Sequence, residues 1–247
     1  MRVFAIWVAV LAALTGTASA TPPNVIIQAE YVEPTTRYDH GILGDAIEWG
    51  ALKLTVDLCA GCEGAQQLRK FLIRLPENRV FEDVAPRIVT MINEGSTEVL
   101  VVETDLKKGA RLALYDEGGL ITATPFIGRT HRWLAPIGVA DLDGDGTMEV
   151  AYVDRPHLAK RIRVWGLENS QLKLVAELDG FTNHRIGESE ISGGVRTCDG
   201  QPELIVATGN WQQIAAVFWE NGQLSPHILG PNTGPRSFTN ALKCKTP

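Results

Sequence analysis

The chain has 247 residues, a formal net charge of −6 and 45% hydrophobic residues. That suits one large globular domain or two small ones and excludes a disordered chain. An acidic protein without a lysine–arginine run is no candidate for nucleic acid or an anionic membrane surface.

Residues 1–20 read as a secretory signal peptide. Arg2 supplies a positive start, Val3 to Leu14 an unbroken apolar run, and Ala18-Ser19-Ala20 a small-residue cleavage site. About twelve apolar residues are too few to span a bilayer of roughly 30 Å. No later segment approaches a membrane span. The mature protein, 21–247, then starts at Thr21, and loss of Arg2 takes the charge from −6 to −7. The leader predicts a periplasmic protein, with secretion as the alternative.

The next segment, NVIIQAEYV within 24–33, reads as a lone strand. It is expected to pair with the last repeat and close a ring. A divergent first repeat follows over 44–80, with strands ALKLTVDL and RKFLIRL and a turn near LPENRV. Cys59 and Cys62 form C-x-x-C inside it. Residue 63 is Glu, which excludes haem attachment, and no second pair exists for zinc. A strand-like run precedes the pair, so it reads as a structural disulfide and not as a redox dithiol at a helix start. Cys198–Cys244 is the remaining pairing.

Repeats then cover 84–127, 133–180 and 188–230. Glu98, Glu149 and Glu203 open the strand-like runs VLVVETD, VAYVDRP and LIVATGN at intervals of 51 and 54. The turns EGGL, NSQL and NGQL end at Leu120, Leu172 and Leu224, spaced 52 and 52. Two independent markers therefore give one period. Four strands in about 50 residues, with Gly, Asn and Asp at the turns, predict an all-β propeller of four or five blades. A β-sandwich would not explain the repeat. The tail from Ser237 to Lys243 fits either a helical turn or another inner strand.

The third repeat carries the densest chemistry, DLDGDGTMEV. Asp141, Asp143 and Asp145 alternate toward one point, and Gly146 permits a sharp turn. The Thr147 carbonyl would follow, and Glu149 would close an all-oxygen shell. Calcium takes six to eight such ligands. An EF-hand would need Glu where Tyr152 stands, and a helix on each side, so that reading fails. The plain alternative is an acidic β-turn without an ion.

VADLDGDGTMEVAYVD closely resembles the FG-GAP/VCBS-type repeat, whose D-x-D-x-D-G loop joins the first two strands of a propeller blade. The resemblance implies a calcium loop in which Asp141, Asp143 and Asp145 match the acidic positions, Thr147 the carbonyl position and Glu149 the last acid. The preceding repeat has Thr90, Ile92 and Glu94 there, and the following one Val195, Thr197 and Asp199. Both keep the glycine and final glutamate (Gly95 and Glu98, Gly200 and Glu203) but lack the carboxylates. One calcium is therefore expected.

No G-x-S-x-G or H-E-x-x-H is present. The functional candidates are His40, His131 and His184, each just before an inner strand, with Arg132 and Arg185 following two of them. Asp45, Glu188 and Glu190 lie just downstream. A propeller would gather the histidines at one channel mouth, where they could hold an anion, a small ligand or a metal. Repeat-specific turn residues bonded to neighbouring blades are the other reading. Tyr115, Trp165, Phe218 and Trp219 read as core between blades, whereas Trp133 and Trp211 lie nearer loops. The leading functional reading is a non-enzymatic module binding a protein or small molecule. The alternative is a periplasmic hydrolase or lyase at a histidine-lined mouth.

Overall fold

The computed structural model describes residues 24–62, 64–92 and 95–247. The signal peptide read at 1–20 lies outside the described residues. The described chain is all-β, with one short helix.

The first unit comprises β1 (Val25–Thr35), β2 (Glu48–Asp57) and β3 (Leu68–Arg74). β2 is central, antiparallel to β1 and β3. The second holds β4 (Arg79–Phe81), β5 (Arg87–Val89), β6 (Glu98–Asp105), β7 (Gly109–Asp116) and β8 (Gly119–Ala123). β4 pairs Phe81 with Trp49 of β2 and also runs beside the end of β6, merging the two units into one eight-stranded sheet. The third is a four-strand meander of β9 (Leu134–Ala140), β10 (Glu149–Asp154), β11 (Arg161–Glu168) and β12 (Gln171–Asp179). The fourth holds β13 (Phe181–Thr182), β14 (Gly194–Cys198), β15 (Gln201–Thr208), β16 (Gln213–Glu220) and β17 (Gln223–Pro231). Helix α1 (Pro235–Leu242) follows, as the helical reading of the tail expects.

The strand alternation explains the stacking of these units. Successive side chains of a strand point to opposite faces. Leu100 and Val102 of β6 enter one apolar cluster with Val150 and Tyr152 of β10, whereas Val99 and Val101 enter another with Leu52 and Leu54 of β2. Ala151 and Val153 face Leu204 and Val206 of β15, and Ile205 and Ala207 face Phe238 and Ala241 of α1. Each inner sheet is therefore buried on both faces. Tyr115 and Trp165 are buried as expected; Phe218 and Trp219 are half-buried.

The hairpin turns lie where the 52-residue period places them. Asn169 and Ser170 both have positive φ, as do Asn221 and Gly222, the geometry of two-residue type I′ hairpins. The retained glutamates also acquire a structural reason. Glu98 accepts from Met91 N–H at 2.9 Å and Glu149 from Leu142 N–H at 2.8 Å, each seven residues back. Glu203 instead binds Arg196 Nε, again seven back, at 2.5 Å.

Two findings correct the sequence reading. The segment 24–33 does not pair with the last repeat: β1 lies along β2, with Val25 opposite Asp57 and Glu48 opposite Thr35. The choice of partner depends on a turn over residues 36–47 that carries no hairpin signature. The innermost strands of the second and fourth units are also split. β4 and β5 both pair with β6, and β13 and β14 both pair with β15. The breaks, 82–86 and 183–193, release chain at one end of the sheets, where the first and last units meet. There Gly187 N–H donates to Ile42 O at 3.0 Å. A Cβ on Gly44, whose φ is +96°, would stand 2.6 Å from Gly187 O, so this approach requires glycine.

Both disulfides form as read, Cys59–Cys62 and Cys198–Cys244. The second ties β14 to the end of α1 across 46 residues. Loop-closure entropy gives it about 4 kcal/mol. Replacing Cys198 and Cys244 by serine should cost that much in denaturant unfolding, whereas replacing Cys59 and Cys62 should cost markedly less. The fully buried Glu103 carboxylate accepts from Arg79, Arg111 and Tyr115 Oη at 2.9, 2.7 and 2.9 Å. Glu103→Ala would strand three donors and should destabilise by about 3 kcal/mol, read as a lowered denaturation midpoint with unchanged slope.

Candidate ligand pocket and metal loop

β9 has a candidate site at each end. His131 and Trp133 precede it, and Asp141 follows it. Seven strand residues separate the two by roughly 20 Å.

At the N-terminal end, four of the chain's five histidines gather around Trp133. His40 and His131 stack with ring centroids 5.1 Å apart, and Tyr38 packs against both. Tyr38 Oη accepts from His131 N–H at 2.8 Å, which holds His131 at φ +53°. His131 Nε2 pairs with the exposed Asp39 at 2.9 Å. His40 Nδ1 lies 2.5 Å from Oε1 of Glu82, the first residue past β4. Glu82 is fully buried. Its other carboxylate oxygen accepts from Thr104 Oγ1 at 2.6 Å, and its carbonyl accepts from Trp133 Nε1 at 2.8 Å. Burial raises the Glu82 carboxyl above the usual range, against the lowering pull of His40 and Thr104. Glu48 is also buried nearby; burial, then the charges of Glu82, Asp45 and Asp83, push its carboxyl up to about 9.

His184 forms the other couple. Its Nδ1 lies 3.0 Å from His157 Nε2, and its Nε2 lies 2.8 Å from Glu188 O. Burial, then the charge of His184, lowers His157 to about 4, so both rings of the couple are neutral at ordinary pH. Arg155 N–H donates to Trp133 O and so fixes the β10–β11 loop that carries His157. A cavity of about 210 Å³ opens here, lined by His40, His131, His157, Arg132, Arg155 and Trp133, with Ile42, Leu158 and Ile186 completing it.

The structure therefore brings His40, His131 and Arg132 into one pocket, and places the fully buried His184 behind His157. Arg185 goes elsewhere: its guanidinium stacks on Trp211 at 4.1 Å in an adjoining cleft of about 350 Å³. Sequence reasoning missed His157, Arg155 and Glu82. His157 sits in a variable loop between strands, outside the repeat position that marked the other three. Glu82 follows a three-residue strand and reads as an ordinary surface acid.

At the opposite end, one carboxylate oxygen from each of Asp141, Asp143 and Glu149 lies within 4.8 Å of the others. Asp141 is half-buried, Asp143 exposed and Glu149 buried. Asp141 accepts from Gly144 and Gly146 N–H at 2.8 and 3.1 Å, and both glycines have positive φ. Asp145 accepts from the Thr147 N–H and hydroxyl, so its carboxylate braces the loop beside the group of three. Burial, then the charges of Asp143, Asp145 and Asp141, push Glu149 up to about 7. An all-oxygen, mutually repelling set fits a hard divalent cation, which would relieve that repulsion.

Among the described residues, no helix is long and apolar enough to cross a membrane. Neither a protein-family model nor a curated protein matches the sequence. Among solved structures, the chain is similar to that of an exotype rhamnogalacturonan lyase, YesX, with 13% identity and a TM-score of 0.40. The match covers 88% of this chain and 52% of that one, so the chain spans about half the length of the structure it matches.

Proposed function

We propose that the protein is an exported, calcium-stabilised β-propeller of the FG-GAP/VCBS type that binds a small ligand in the histidine-lined pocket. The convergence of His40, His131 and His157 with Arg132 around Trp133 carries this reading. A concave site with a few convergent polar groups on an apolar floor is what small-molecule binding requires. Four stacked units with turns at a 52-residue period support the propeller, and the two disulfides support an oxidising compartment, periplasmic or extracellular. Calcium on Asp141, Asp143 and Glu149, joined by Asp145 and the Thr147 carbonyl as the resemblance implies, would brace the far end of β9 and β10.

A second reading rests on one contact. Buried Glu82 fixes His40 through Nδ1, and His40 Nε2 has no hydrogen-bond partner among the described residues. An imidazole so oriented can serve as a general base, which is the hydrolase or lyase alternative. The test is a panel of small acids and sugars followed by imaging of the histidine imidazole resonances by NMR. The binding reading expects His40 and His131 to shift together and saturably, with the ligand recovered unchanged. Ligand conversion that stops in His40→Gln while binding persists would establish the second reading. Shifts in neither ring across the panel, or shifts confined to the Trp211 cleft, count against both.

A further inference from the structure

The charges and apolar side chains around the pocket define a narrower ligand class. Arg155 is neutralised by Asp154, which it grips through Nε and Nη2 at 2.9 and 2.8 Å. His40 is matched by Glu82 and His131 by Asp39. Arg132 differs. Its Nη1 donates to the His131 carbonyl at 2.7 Å, and it has no acidic partner among the described residues. The pocket thus presents one uncompensated cation.

The same lining also carries apolar side chains. Ile186 and Leu158 are 70% and 63% exposed, the highest exposures among the large hydrophobic side chains described. They come from the β13–β14 and β10–β11 loops and line the same cavity as Ile42 and Trp133. Scattered single apolar residues on a surface need no explanation, but these two line the pocket that also holds Arg132. At about 210 Å³ the cavity is smaller than the ~300 Å³ at which sites for drug-sized ligands begin. Asp39, 88% exposed on the His131 side, would repel a second negative charge.

We infer that the ligand is a small amphiphilic monocarboxylate, its acid group on Arg132 and its apolar body between Ile186 and Leu158 over Trp133 and Ile42. This rests on the pocket being the binding site, and it names the chemical class bound there.

The test is isothermal titration of the calcium-supplied protein with four probes: phenylacetate, hexanoate, the neutral isostere phenylacetamide and the dianion succinate. Phenylacetate or hexanoate should bind at least tenfold more tightly than phenylacetamide and succinate, the scale of one charge-assisted hydrogen bond. Arg132→Gln should remove that tenfold preference over the amide. Arg132 is half-exposed, so the variant should fold, which an unchanged thermal midpoint would verify. Leu158→Asn with Ile186→Asn should weaken both acids while leaving the weak binding of succinate unchanged. Equal binding of the amide, or acid binding indifferent to Arg132→Gln, overturns the inference. Succinate binding most tightly, with loss in Arg132→Gln, overturns the ligand class but keeps the pocket as the site. No binding by any probe, with no movement of the His40 and His131 resonances, overturns the inference and also counts against the pocket.

Discussion

Calcium should raise the thermal midpoint of this protein by about 5–10 °C at a hundredfold excess over its dissociation constant. An ion that binds only the folded state adds about 2.7 kcal/mol at that excess, and each kcal/mol moves the midpoint of a domain this size by about 2–4 °C. EDTA should reverse the gain. Asp143→Ala should abolish the response while barely changing the midpoint in EDTA. The Asp143 side chain is exposed, and its one bond in the structure is to the Asp145 N–H at 3.1 Å. Without the ion, Glu149 faces the charges of Asp141, Asp143 and Asp145 from a buried position. Asp145→Ala tests the resemblance more finely. A lost response would place that carboxylate in the shell, whereas a retained one would leave it as the brace of Thr147 that the structure displays.

Raising the pH should destabilise the protein through Glu48. Its carboxyl is held up to about 9 in the fold by burial and by Glu82, Asp45 and Asp83, against an ordinary value of 4.5. A folded-state value above the unfolded one means the native state retains a proton that the unfolded chain releases. The contribution is whole below about pH 4.5 and is lost as pH rises toward 9. Over that window it amounts to on the order of 5 kcal/mol. Glu48→Gln keeps the neutral side chain at every pH, so its denaturation midpoint should fall less steeply than that of the wild type, most clearly above pH 7, where Glu149 has already released its proton. His157 acts with the opposite sign. Its folded value of about 4 lies below its ordinary 6.5, so acid charges the unfolded chain first and stability falls as pH drops through that window. Between about pH 4.5 and 6.5 these two slopes oppose each other, so the wild type should lose stability on either side of that window. Equal slopes for wild type and Glu48→Gln between pH 6 and 9 would show that Glu48 is ionised in the fold.

The strands and their hairpin turns were legible because they are local. Hairpin turns, strand alternation and the glutamate at the head of each second strand are written within a few residues of one another. The structure gives that glutamate a single job in two units, closing a loop onto the N–H seven residues back. What could not be read was set by long-range choices. Strand 24–33 takes β2 as its partner because Ile26 can bury against Leu52, Leu54 and Phe81, a preference no local pattern expresses. The split inner strands follow from segments as short as Phe181–Thr182, below the length at which alternation is recognisable.

The site shows the same division. His40, His131 and Arg132 were marked by their place before inner strands, and the fold gathers them. His184 shares that mark but is buried behind His157, since β13 ends two residues earlier and turns it inward to Glu188 O. Arg185, next in sequence, points the other way and stacks on Trp211. Glu82 became visible only in three dimensions, where a buried carboxylate must find donors and has found His40 and Thr104.

The central claim is that the pocket around Trp133 is where this protein does its work. The most direct measurement is a crystal structure of the calcium-supplied protein grown with phenylacetate. The account predicts a carboxylate on Arg132, an apolar body against Ile186 and Leu158, and a calcium ion at the far end of β9 on Asp141, Asp143 and Glu149. Ligand density confined to the Trp211 cleft, with the histidine pocket holding only water, would contradict it.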